Sequence, residues 1–237
     1  MGLLSDVRNE LKASGDVQIA EHSLRFFKTG PGEYGEGDVF RGIRVPVLRK
    51  LAKRYQALSL RDTRTLLRAR FHEDRLLALL ILVQKYRTSD MAQQAAIFDL
   101  YLDNTDRVNN WDLVDASADR IVGAHLAGRG KTQLLDRLAA SASLWERRIA
   151  IMATFHFTKH LHDFEPTLRI ARMLLRDTED LIHKATGWML REIGNRDRTA
   201  EEAFLRRHYH DMPRTMLRYA IEKFPPARRL AYLHSKV

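Results

Sequence analysis

Ser143-Leu144-Trp145-Glu146-Arg147-Arg148-Ile149-Ala150-Ile151-Met152-Ala153-Thr154-Phe155-His156-Phe157 reads as the opening of a buried helix. Ser143 stands where an N-cap is wanted, and Glu146, three residues on, can reach back to complete a capping box. Ile149, Met152, Ala153 and then His156 or Phe157 follow at helical spacing. Similar apolar stretches recur at residues 76–83, 111–126, 185–193 and 216–224, each preceded by another helix.

A spacing of roughly 30–40 residues is typical of two-helix repeats of the HEAT type, which bury a face only by stacking on their neighbours. The expectation is therefore an all-α, right-handed superhelical α-solenoid of HEAT-like repeats, one domain over residues 1–237, with inner helices lining a concave basic groove. No convincing alternating strand is present. Local signals agree. Ser59 can cap a helix running to Leu67, and Asn109 or Asn110 one that begins at Trp111. Thr178 can cap the next, with Glu179 and Asp180 in its first turn and Gly194 as its stop. Pro225-Pro226 ends a helix that starts near Pro213. The glycine-rich stretch 30–38 departs from helix and marks a loop insertion at about 29–38, either a surface connector or a functional loop. It lacks the Gly-Lys-Ser/Thr ending of a phosphate-binding P-loop.

Composition narrows the function. Hydrophobic residues make up 45% and charged residues 30% of the 237, which is globular and not disordered. No apolar run is long enough to span a membrane, no signal peptide opens the chain, and a cytoplasmic monomer is expected. There are no cysteines, so disulfides, thiolate zinc sites and cysteine nucleophiles are excluded. Lys and Arg number 40 against 30 acidic residues, a net charge of +10. That excess, mostly arginine, points to a polyanion partner, nucleic acid first.

Candidate site residues follow from the same pattern. Trp111 and Asp115 are four apart and share a helical face. Arg148 and Trp188 follow at about one repeat each, so the group could converge on successive inner helices. From the residues alone, Asp115 and Arg148 could equally form an inter-helix salt bridge, and the two indoles could be core. Gly42-Ile43-Arg44-Val45-Pro46-Val47-Leu48-Arg49-Lys50 looks like a helix start whose amides, with Arg44, Arg49 and Lys50, could hold phosphate or simply face solvent. His156 and His160 could form a helix C-terminal cluster or, less readily, a metal site, since the glutamate of His-Glu-x-x-His is missing. No metal is assigned.

Four motifs together resemble the AlkD-type DNA alkylation repair family of HEAT-like alkylpurine DNA glycosylases. They are Gly42-Ile43-x-x-Pro46, Trp111-Asp112-x-Val114-Asp115, Trp145-x-x-Arg148-x-Ala150-Ile151 and Lys184-Ala185-x-Gly187-Trp188-x-Leu190-Arg191-Glu192. The resemblance implies excision of cationic N3- and N7-alkylated purines from double-stranded DNA without base flipping and without a cofactor. It implies Asp115 as catalytic carboxylate, Trp111 and Trp188 as aromatic walls, and Arg148 beside the DNA backbone. Arg49 and Arg191 would contact phosphate. By their charge, Arg44, Lys50, Arg147 and Lys184 are further candidate DNA contacts. The chain departs from the pattern at the glycine loop and at Arg44, where a neutral polar residue is expected. The alternatives are a non-catalytic HEAT-repeat protein that binds distorted or branched DNA, and a protein-binding scaffold, which the basic excess disfavours.

Overall fold

The structure, a computed structural model, describes residues 2–127, 129, 130 and 132–237. These residues are overwhelmingly helical, and the β pairing among them is an isolated parallel bridge between Val39 and Phe71. The chain divides into two compact units, residues 1–117 and 118–237.

The first unit contains α1 (Leu3–Ala13), α2 (Val17–Phe26), α3 (Val45–Arg54), α4 (Leu60–Leu67), α5 (His72–Thr88), α6 (Met91–Leu102) and α7 (Trp111–Asp115). Its centre is α5, against which α3, α4, α6 and α7 pack. Leu76, Leu77, Leu79, Leu80, Ile81 and Leu82 are all buried. A helix apolar on every side is a core helix, and each such leucine contributes about 1.5–3 kcal/mol by leaving water. The helix starts one turn before the apolar run. His72, Glu73, Asp74 and Arg75 form that turn, and all four are buried. Ser59 caps α4, accepting the Asp62 amide at 3.0 Å. Asn110 caps α7, accepting the Trp111 amide at 2.8 Å.

The second unit contains α8 (Ala124–Leu126), α9 (Gln133–Ala139), α10 (Leu144–Ala153), α11 (Glu165–Met173), α12 (Asp180–Gly194), α13 (Arg198–His208), α14 (Arg214–Ala220) and α15 (Pro226–Leu233). It is layered. α10, α12 and α14 pack in succession, while α9 and α11 pack on each other and α11 and α13 each pack on α12. π-helical turns interrupt the chain at Asp119–Gly123 and Phe157–Leu161.

Four local expectations are refined here. The capping box at Ser143 is relayed: Ser143 accepts the Glu146 amide, but the Glu146 carboxylate takes the Ser141 hydroxyl at 2.5 Å, and Ser141 accepts the Ser143 amide. Thr178 is not the cap of α12. Glu179 holds that position, and Asp177 accepts its amide at 2.9 Å. Gly194 is the last helical residue, with no left-handed stop; its missing side chain makes room for Glu201, whose carboxylate would collide with a Cβ there. Burial pushes the Glu201 carboxyl up to about 8. Pro226 starts a further helix, α15, and the helix before it, α14, ends at Ala220 with a 3-10 turn at Ile221–Lys223.

Gly187 fixes how closely α12 meets α14. A Cβ at that position would lie 2.4 Å from the Met216 carbonyl and 2.6 Å from the Tyr219 Cβ. Gly187→Ala is therefore expected to destabilise the protein by about 1–3 kcal/mol despite alanine's better helix propensity. Thermal unfolding followed by circular dichroism checks this; an unchanged or raised Tm would show that the two helices can part at no cost.

Candidate functional site

A buried charge network in the first unit positions α7. Asp38, brought inward at the end of the glycine loop, sits between three donors. Arg75 bonds one of its carboxylate oxygens, and the His72 Nδ1 (3.1 Å) and the Asn110 side-chain amide (3.2 Å) meet the other. The other nitrogen of His72, Nε2, lies 2.8 Å from the Asp112 carboxylate on α7. His72 is 2% exposed. Burial opposes its charged form, but Asp112 and Asp38 outweigh that and push its pKa up to about 9. At neutral pH the ring is an imidazolium donating from both nitrogens. Burial likewise opposes ionisation of Asp38, yet the His72 hydrogen bond and the Arg75 charge hold its carboxyl below the usual range.

The neighbouring carboxylates are spent on the segment that leads into α3. Glu73 accepts the amides of Arg41, Gly42 and Ile43 at 2.8, 2.7 and 3.1 Å. Asp74 takes the Arg41 guanidinium in a two-pronged bond of 2.6 and 3.0 Å. Gly42 has a φ of +78°, and a Cβ on it would lie 1.9 Å from the Asp16 carbonyl, so only glycine fits. This corrects one expectation: the amides of Gly42 and Ile43 bind Glu73 and are not open to phosphate. The side chains of Arg44, at the N-cap of α3, and of Arg49 and Lys50 along it are exposed. The glycine loop is self-capped. Glu33 and Glu36 accept the amides of Gly30 and Gly32 at 2.8 and 2.9 Å.

Over this network lies an aromatic cluster. Phe27 stacks between Phe40 (centroids 5.1 Å apart) and Trp111 (5.5 Å), and His72 packs against both phenylalanines. Phe26 meets the Trp111 ring edge-on at 6.0 Å and is 56% exposed. Trp111 and Asp115 are both half-buried, while Leu113 and Val114 anchor the opposite face of α7 in the core.

The remaining expected residues belong to the second unit. Arg148, on α10, is 5% exposed and donates to the Leu181 carbonyl. Trp188, on α12, is half-buried; its indole N–H donates to Glu192 at 3.2 Å, and Phe155 lies 6.4 Å away, centroid to centroid. Arg147 binds Asp177 at 2.6 Å and the carbonyls of Ser141 and Ala142. Lys184 pairs with Asp180 at 2.6 Å, and Arg191 with Glu222. The rings of His156 and His160 lie 4.7 Å apart, and among the described residues no group of three potential metal ligands occurs. Sequence reasoning missed Asp38, His72, Asp112 and Phe26. The signal for His72 was four consecutive ionisable residues, 72–75, at the head of an otherwise apolar helix, and Asp112 was visible as a member of the Trp111–Asp115 motif.

Comparison with known proteins identifies the class. The chain belongs to the DNA alkylation repair enzyme family, which it matches over residues 7–224. Membership makes it an enzyme of DNA alkylation repair, with DNA as substrate. Among solved structures it is similar to a predicted DNA alkylation repair enzyme from Enterococcus faecalis, at 16% identity and a TM-score of 0.68, covering 90% of this chain and 98% of that one. Comparison with curated proteins finds no match. Among the described residues no helix is long and apolar enough to cross a membrane.

The His72 link has a testable sign. Its folded pKa is raised above the unfolded value, so its stabilisation is complete below about pH 6.5 and is lost as pH rises through about 9. The unfolding free energy should therefore fall between pH 7 and pH 9.5. His72→Gln should be less stable at pH 6.5 and should lack most of that slope. Chemical denaturation across this range measures both, and identical slopes would remove His72 as the titrating group.

Proposed function

We propose that the protein is a DNA glycosylase that hydrolyses the N-glycosidic bond of positively charged N3- or N7-alkylated purines in duplex DNA, without everting the lesion and without a cofactor. The observation that carries this reading is the presentation of Trp111 and Asp115. They lie one turn apart and half-buried on a helix whose other side is tied into a buried charge network. A carboxylate held on a rigid support next to an indole suits stabilisation of a developing cation.

An alkylated purine already carries positive charge and leaves as a neutral base with the bonding electron pair. The sugar left behind is oxocarbenium-like. Ionised Asp115 stabilises that cation and orients a water molecule. The water oxygen adds to the anomeric carbon, its proton passes to Asp115 or solvent, and an abasic site remains. The indole face of Trp111 adds cation–π stabilisation, with Phe26 extending the aromatic surface beside it, and Trp188 is an aromatic contact to the DNA in its own unit. Arg148 contacts the DNA backbone by leaving the Leu181 carbonyl to which it donates in the free protein. Arg44, Arg49 and Lys50 bind phosphate without sequence preference, so affinity falls steeply with salt. Arg147, Lys184 and Arg191 join them by exchanging Asp177, Asp180 and Glu222 for phosphate.

Asp115→Asn is expected to bind alkylated duplex as the parent does but to release 7-methylguanine at least about tenfold more slowly, about 1.4 kcal/mol or more of lost transition-state stabilisation. Single-turnover release, with binding measured separately, checks this. Equal release rates would remove Asp115 from the chemistry.

A further inference from the structure

The α9–α11–α13 side of the second unit holds a cleft of about 440 Å³ between α11 and α13, lined by Leu168, Arg169, Arg172, Phe204, Arg207 and His208 among others. Arg148 and Trp188 belong to α10 and α12, so the residues expected to meet DNA in this unit lie on other helices. The cleft sets three arginines against one carboxylate, Glu165, over an apolar floor. Arg169 spends two of its donors, on Asp136 and on Glu165, but its Nη2 is buried and has no hydrogen-bond partner. Arg172 and Arg207 are exposed and make no ion pair among the described residues. His208 lies against the Phe204 ring, with centroids 4.6 Å apart. Burial lowers its pKa, and the charges of Arg172 and Arg207 lower it further against the opposing pull of Asp211. Arg169 is likewise depressed, by burial and then by Arg172. Cations held close enough to repel one another, with one buried donor unanswered, form a site whose missing component is an anion.

The volume and the floor narrow the ligand. The cleft falls in the range that accommodates small organic molecules, and a bare phosphate would leave most of it unfilled. The alanines Ala200 and Ala203, with Leu168 and Phe204, offer apolar and aromatic surface for a ring. We infer that this cleft binds a nucleotide, its phosphate on Arg169, Arg172 and Arg207 and its base or sugar against Leu168 and Phe204. The inference stands apart from the excision reading, because it uses none of the residues assigned to that chemistry. The same ligand chemistry has two sources, a free mononucleotide and the phosphorylated end of a nucleic-acid strand.

Calorimetric titration of the full-length protein tests it, with AMP, adenosine, inorganic phosphate and a short 5′-phosphorylated single strand as probes. AMP should bind measurably, with adenosine and inorganic phosphate each at least tenfold weaker. The double variant Arg172→Glu/Arg207→Glu should lose at least tenfold in AMP affinity while releasing alkylated base as the parent does. Phe204 is partly a core residue, so Leu168→Asp supplies a second, surface-accessible probe of the floor and should weaken AMP but not inorganic phosphate. A strand end that displaces AMP identifies the nucleic-acid source, and one that does not identifies the free nucleotide. No AMP binding, or binding unchanged by the double charge reversal, overturns the assignment.

Discussion

The first unit depends on one imidazolium between two carboxylates. His72 is fully enclosed, so its charge is costly unless both nitrogens are answered, and Asp38 and Asp112 answer them. The consequence is positional. Asp38 terminates the glycine loop, His72 opens the core helix α5, and Asp112 belongs to α7, so one side chain ties three separated segments together. Removing one member of such a buried set leaves uncompensated charge and costs about 3–5 kcal/mol. The constraint also holds α7 in place, a helix of 5 residues that could not persist by itself. The orientation of Trp111 and Asp115 thus rests on charge pairing beneath them as much as on the apolar contacts of Leu113 and Val114.

Much of the helical content was legible because it rests on local rules. Ser59 and Asn110 cap as their types prefer, the leucines of α5 are buried as a continuous apolar run demands, and the Lys184–Glu192 motif falls in one helix. What was not legible depended on partners far along the chain. His72 was not singled out as a site residue, because its partners are distant in sequence: Asp38 lies more than thirty residues before it and Asp112 forty after. Gly42 and Gly187 were visible as motif residues, but their reason, a backbone approach too close for any Cβ, comes only from packing. Thr178 was misread as a cap because it is one residue too early; Asp177 performs the local bonding and Glu179 takes the boundary.

The arginines show why net charge alone is a poor map of a binding surface. Arg41, Arg75, Arg147 and Arg191 hold carboxylates or carbonyls of their own chain and so contribute to folding. Arg44 at the N-cap of α3, Arg49 on it, and Arg172 and Arg207 over the α11–α13 cleft, stand exposed. The exposed arginines can meet a polyanion as they stand, whereas Arg147 and Arg191 must first give up a carboxylate of their own chain.

The reading of the protein as an excision enzyme is tested most directly by the product it makes. Duplex DNA carrying N7-methylguanine, incubated with the unmodified protein, can be analysed by mass spectrometry for free base and for the strand left behind. Free 7-methylguanine together with an abasic strand is the predicted result. Methylated duplex that is bound yet remains intact over prolonged incubation would contradict it.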